Sequence, residues 1–224
     1  MSDKIQCVKC TKVVCNTKFF DKNDANCPTH TRIDIVDKVK SEYKKPEIRE
    51  FARQAIFQHN EAILHLPEGG VVPRNPRVEE VAQFAKKMEY KKLGVVFCAA
   101  LRHEAQLLDE ILENRGFDVV SLCCMAGGLP VEELGIKDDQ KIAGPGTWQS
   151  MCNPIVQAEI LNEEKVDFNV LVGLCVGHDS LFFKYAQAPT TVLIVKDRVF
   201  GNNPVAALHE AKTFYRWLKR KEKP

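Results

Sequence analysis

The sequence predicts an α/β protein built on a small doubly wound, Rossmann-like parallel sheet of about four to five strands. A Cys-rich metal-binding segment and a helical pair precede the sheet. Three observations predict this. From Leu93 onward, short apolar runs alternate with stretches of helical spacing. Residues 31–75 carry helical periodicity, and four of the nine cysteines fall within the first 27 residues. Strands separated by helices imply right-handed crossovers and hence parallel pairing.

Residues 1–30 are poor in apolar groups, and such a short piece needs a covalent or metal cross-link to order itself. A helix is expected from Ile33 to about Tyr43, with Ile35, Val36 and Val39 on one side. Pro46 opens a second, in which Ile48, Phe51, Ala52, Ala55, Ile56, His59, Ile63 and Leu66 follow helical spacing up to Pro67-Glu-Gly-Gly. Asn75-Pro76 reads as an N-cap with proline at the first helical position. The alternation then runs strand 93–97, helix 100–114 with Leu101, Leu108, Ile111 and Leu112 inward, and strand 117–122. A loop-like stretch covers 126–147, and Asn153-Pro154 starts a helix. Strand 169–174, helix 179–186, strand 191–195 and a last helix from Asn203-Pro204 complete it. The expected organisation is a metal-binding segment at 1–30, a helical pair at 31–75 and the Rossmann-like domain at 76–224.

The N-terminal pattern is Cys7-x-x-Cys10, then Cys15, then Cys27-Pro28. A Cys-x-x-Cys turn lets two thiolates grip one ion, and Cys15 and Cys27 would complete a tetrahedron, with His30 able to replace one. The spacing does not match ferredoxin runs, which favours structural zinc over an iron–sulfur cluster. Four protein ligands leave no open position for chemistry.

The other five cysteines, Cys98, Cys123, Cys124, Cys152 and Cys175, lie at strand ends or helix starts. In an open parallel sheet, ligands bind beyond the carboxyl ends of the strands. Neighbouring strands are about 4.8 Å apart, so thiols at adjacent ends can share a metal. Cys98, Cys124, Cys152 and Cys175 are therefore candidate ligands of a second site, zinc or an iron–sulfur cluster, with His178 as an alternative donor. Asn153 and Asp179 fall in the same layer. Unpaired cysteine is also a common small core residue, and one of Cys123 and Cys124 must point away from the other.

Gly173-Leu174-Cys175-Val176-Gly177-His178-Asp179 runs from a strand through Gly-x-Cys-x-Gly into a helix. It resembles the nucleophile elbow of class I glutamine amidotransferases, where small residues permit the turn that exposes the thiol. That resemblance makes Cys175 a candidate nucleophile of a hydrolase or acyl transferase. The family's downstream His-x-Glu is absent: the only histidine beyond this motif is His209, directly followed by Glu210. His178 is then the local candidate base.

A broader resemblance rests on Ser150-Met-Cys152-Asn153-Pro154, the Gly173 to Phe182 motif, Ala188-Pro189 and Val195-Lys196-Asp197-Arg198. Together they are similar to an uncharacterised prokaryotic family of metal-binding proteins of unknown function. The resemblance implies metal binding without an established reaction, and its signature covers Cys152, Asn153, Pro154, Cys175, His178 and Asp179.

Net charge is +2, from 32 basic and 30 acidic residues, so no global field recruits nucleic acid or an anionic membrane. The basic run Lys219 to Lys223 is read as the end of the last helix, where cations complement the dipole. No signal-peptide core or membrane span is apparent, which predicts a cytoplasmic protein with reduced thiols. Gly127-Gly128 and Gly144-Pro145-Gly146 are not the dinucleotide fingerprint. A small molecule at the sheet edge is the alternative to metal chemistry.

Overall fold

A computed structural model describes residues 5–11, 15 and 27–221. The chain separates into two compact units, Met1–Glu61 and Ala62–Pro224.

Among its described residues the first unit holds a 3-10 turn at Cys7–Lys9 and the helices α1 (Pro28–Thr31), α2 (Ile33–Glu42) and α3 (Pro46–Glu61). Pro28 and Pro46 each begin a helix, where the missing N–H costs nothing. Ile33, Ile35 and Val39 of α2 and Ile48, Ile56 and Phe57 of α3 are exposed. Helix α3 stops at Glu61, short of the Leu66 that its spacing suggested. Ile63–His65 (β1) instead pairs antiparallel with Val71–Pro73 (β2). Gly69 and Gly70, at φ +98° and +89°, supply the left-handed turn between them. Apolar spacing of four fits a helix, but the β-branched pair Val71-Val72 beyond the glycines gives Ile63–His65 a strand partner.

The second unit continues with α4 (Arg77–Lys87), β3 (Lys92–Phe97), α5 (Arg102–Asn114) and β4 (Asp118–Cys123). A long connection follows, with 3-10 turns at Val131–Leu134 and Asp138–Gln140. Then come α6 (Pro154–Glu163), β5 (Phe168–Val172), α7 (His178–Tyr185), β6 (Thr190–Ile194) and α8 (Pro204–Glu210). The strand order is β4-β3-β5-β6, all parallel. The chain leaves β3 toward β4 on one side and returns across β3 to β5 on the other. Right-handed crossovers therefore put α5 and α6 on opposite faces. The doubly wound, Rossmann-like sheet expected from the sequence is present, with four strands, and its order reverses between β3 and β5.

Both faces are packed. On one, Phe84 of α4 meets Phe168 of β5 with ring centroids 5.6 Å apart. On the other, Val96, Leu171, Ala158, Leu161, Leu174 and Phe182 form a core cluster that includes Cys98 and Cys124. Gly94 lets α6 approach this face closely. A Cβ there would lie 2.5 Å from Asn169 Oδ1 and 2.7 Å from Leu161 Cδ1. Asn169 is fully buried, and its amide donates to Ala188 O and Thr190 Oγ1, stitching β5 to the start of β6.

Three local expectations need correcting. Asn75 does not cap α4. Pro76 occupies the cap position, and the Asn75 amide donates to Gln83 Oε1 at 3.1 Å. Ile111 is 37% exposed, because Ala105, Leu108 and Leu112 define the buried stripe of α5 and Ile111 lies one position off it. The basic C-terminal run does not end the last α-helix. Helix α8 stops at Glu210, and Lys219, the first residue of the run, closes a separate 3-10 turn at Arg216–Lys219.

Candidate functional site: thiols at the sheet edge

The carboxyl ends of β3, β4 and β5 carry cysteines held in place by backbone hydrogen bonds. Cys98, just past β3, donates its N–H to Val172 O at 3.1 Å, extending the β3–β5 ladder. Cys124, just past β4, donates to Phe97 O at 2.8 Å. Asn153 N–H reaches Cys124 O at 2.7 Å, which brings the backbone of Cys152 beside that of Cys124. The Asn153 side chain caps α6, its Oδ1 accepting from Val156 N–H at 3.1 Å. The loop after β3 and both ends of the long β4–α6 connection thus converge where the strand order reverses, the place at which open α/β sheets bind ligands.

The sulfurs converge as well. Cys124 and Cys152 Sγ are 3.8 Å apart, and Ala99 N–H points at Cys124 Sγ at 3.4 Å. Cys98 and Cys124 are buried, while Cys123, Cys152 and Cys175 are half-buried. Cys124 makes the direct sulfur contact, while Cys175, Cys98 and Cys123 all lie near enough to bear electrostatically on Cys152. The interactions set an order of acidity. Sharing a hydrogen bond with Cys124, and then burial, push the Cys98 thiol up to about 12. Cys124 is pushed up to about 11, chiefly by its hydrogen bond to Cys152. The Cys124 thiol in turn lowers the pKa of Cys152. Cys152 is the thiolate-prone member of the three, and Cys124 holds the proton between them.

Cys175 follows the carboxyl end of β5 and has a different neighbour. Arg198 Nη2 lies 3.1 Å from its Sγ. Gly173 and Gly177, at φ +64° and +85°, form the turns on either side of it. Its carbonyl accepts the N–H groups of His178 and Asp179 at the start of α7. The Asp179 carboxylate accepts from Gly177 and Ser180 N–H and so closes that turn. His178 Nδ1 is buried and has no hydrogen-bond partner among the described residues. No hydrogen bond joins His178 to the Cys175 thiol there.

Sequence reasoning did not single out Arg198 or Lys196 for chemistry. Both follow β6, and Lys196 lies close enough to bear electrostatically on Cys98. Their place just past the fourth strand end was the available signal.

In the first unit, Cys10 N–H bonds Cys7 O at 3.0 Å, so the Cys-x-x-Cys turn is formed. Cys27 O accepts from His30 and Thr31 N–H. Cys7, Cys10 and Cys15 are exposed and Cys27 is half-buried. Among the described residues no group of three or more His, Cys, Asp or Glu side chains is arranged to hold a metal ion. Residues 12–14 and 16–26, which separate these cysteines, lie outside the described residues.

Residues 27–193 match the family described as protein of unknown function (DUF1847). The chain belongs to this family. It is also 40% identical, over 205 residues, to an uncharacterised protein of Methanocaldococcus jannaschii, covering 92% of this chain and 94% of that protein. The uncharacterised family expected from the sequence motifs is therefore borne out. The family match runs from Cys27 to β6 and takes in Cys98, Cys123, Cys124, Cys152 and Cys175. Cys7, Cys10 and Cys15 precede it. Among the described residues no helix is long and apolar enough to cross a membrane.

Proposed function

We propose that the protein binds soft metal ions through thiolates, with a chemically competent site formed by Cys98, Cys124 and Cys152 at the carboxyl edge of the sheet. The 3.8 Å between Cys124 and Cys152 Sγ carries this reading. Two thiolates on a tetrahedral zinc, each about 2.3 Å from the ion, stand about 3.8 Å apart. The pair thus fits two adjacent corners of such a site. Cys98, next to Cys124, supplies the third after a side-chain rotation, and Cys175 or His178 is the candidate fourth. Zinc and an iron–sulfur cluster are both compatible with an all-thiolate donor set. The N-terminal Cys7, Cys10, Cys15 and Cys27 belong to the same proposal as a structural zinc staple. Metal content of anaerobically purified wild type and Cys152→Ala tests the sheet-edge site. The wild type should hold a metal equivalent that the variant lacks. Equal content in the two refutes the site.

A second reading is favoured by the contact between Arg198 and Cys175. The guanidinium 3.1 Å from the Cys175 sulfur fixes the direction of that side chain, as a positioned cysteine nucleophile requires. The enzyme would then be a hydrolase or acyl transferase. Cys175 should alkylate faster than Cys98 at neutral pH and slow down in Arg198→Ala. Equal labelling of Cys175 and Cys98 removes this reading.

A further inference from the structure

We infer that Cys124 and Cys152 form a redox-active dithiol that exchanges with low-molecular-weight disulfides. This inference rests on the spacing of the pair and not on the metal proposal. Their sulfurs are 3.8 Å apart, one covalent contraction from a bond of about 2.05 Å. The hydrogen bond from Asn153 N–H to Cys124 O at 2.7 Å sets the two backbones side by side, the neighbour relation that a disulfide needs. Both residues sit on firm supports. Cys124 directly follows β4, and Cys152 directly precedes the cap of α6. Closing the bond therefore asks for side-chain rotation rather than rearrangement of a loop.

Exposure divides the roles. Cys152 is half-buried and can meet a ligand, whereas Cys124 is only 3% exposed. In the first step the Cys152 thiolate attacks one sulfur of a small disulfide, RSSR, and expels RS⁻, leaving a Cys152–S–S–R mixed disulfide. In the second step Cys124 loses its proton to that RS⁻ and attacks Cys152 Sγ. A Cys124–Cys152 bond forms and a second RS⁻ leaves, to be protonated by solvent. The balance is one protein dithiol and one RSSR in, one protein disulfide and two RSH out. The small disulfide is the oxidant. Run in reverse, the same pair oxidises a dithiol.

The full-length protein, reduced, chelated and desalted, is treated with cystamine and then alkylated and mapped by peptide mass spectrometry. The expected result is a peptide pair linked through Cys124 and Cys152, lighter by two hydrogens and carrying no cystamine fragment. Cys124→Ser should instead retain one cystamine-derived adduct on Cys152, and Cys152→Ser should form neither product. The wild-type map decides the matter even if a variant fails to fold. Persistent adducts on wild-type Cys152 with Cys124 still alkylatable overturn the inference, and so does linkage of Cys124 to Cys98. Because the metal is removed beforehand, a protein that never binds metal can still form the bond. A metal protein whose pair does not close refutes this inference alone.

Discussion

Replacing Gly173 with alanine should damage the protein more than the same change four residues later at Gly177. Gly173 has φ +64°, where an L-residue costs about 1–2 kcal/mol. A Cβ built there lies 2.1 Å from Leu101 Cδ1. Leu101 is 3% exposed in the core at the start of α5, so its side chain has little room to yield. Overpacking of that kind costs about 1–3 kcal/mol. The reduced freedom of the unfolded chain returns about 0.4–1 kcal/mol. The net loss is about 1–4.6 kcal/mol. For a domain of this size it lowers Tm by roughly 2–18 °C. Gly177 also has a positive φ, +85°, but nothing lies within 4 Å of its added Cβ. Its ψ of −37° lies outside the left-handed α region, so its alanine variant carries a conformational cost of about 1–3 kcal/mol but no overpacking. Urea unfolding of both variants, followed by circular dichroism, measures the difference directly. A gap smaller than about 0.5 kcal/mol would refute the claim that the turn beneath Cys175 is set by contact with Leu101.

Asn153→Ala removes the acceptor for Val156 N–H and should cost about 1 kcal/mol in denaturant unfolding. Stability should also fall in alkali. Cys98 and Cys124 have folded-state pKa values of about 12 and about 11, above the ordinary 9.0, so between those values the native state holds protons that the unfolded state has lost. Their contribution is fully present below pH 9 and is lost as the pH rises through the folded values. Cys98→Ala should flatten the alkaline limb of a stability–pH curve, and an unchanged slope would contradict the assignment. The same ordering predicts that iodoacetamide near pH 8 modifies Cys152 before Cys98 or Cys124, read by peptide mapping after brief exposure.

The alternation of apolar runs and helical spacing made the parallel sheet legible, and with it the gathering of cysteines at one end. A strand's end is marked by where its apolar run stops, so Cys98, Cys124 and Cys175 could be placed without knowing any contact. The hairpin Ile63–Pro73 was not legible because its first strand continues the spacing of α3, and only pairing with Val71-Val72 distinguishes it. Ile111 misled for a related reason: a helix face is set by what it packs on, and the stripe through Ala105, Leu108 and Leu112 left it at the margin. Within the site, the choice between Cys123 and Cys124 depends on which side of the chain turns inward after β4. Residue spacing alone does not carry that information. Arg198 reaches Cys175 from a loop after β6, and a contact between two such loops leaves no periodic trace.

Gly94 links the middle of the sheet to its edge. Its missing side chain sets how deeply Leu161 of α6 settles against β3 and Asn169. From Leu161 to Cys152, beside the N-terminal end of the same helix, is about 13 Å at 1.5 Å per residue. Helix α6 therefore runs from that contact to the thiol edge. A tilt of about 5° about Gly94 would move the far end by about 1 Å. A side chain added at Gly94 should thus be felt at the sulfurs, from a position that carries no functional group.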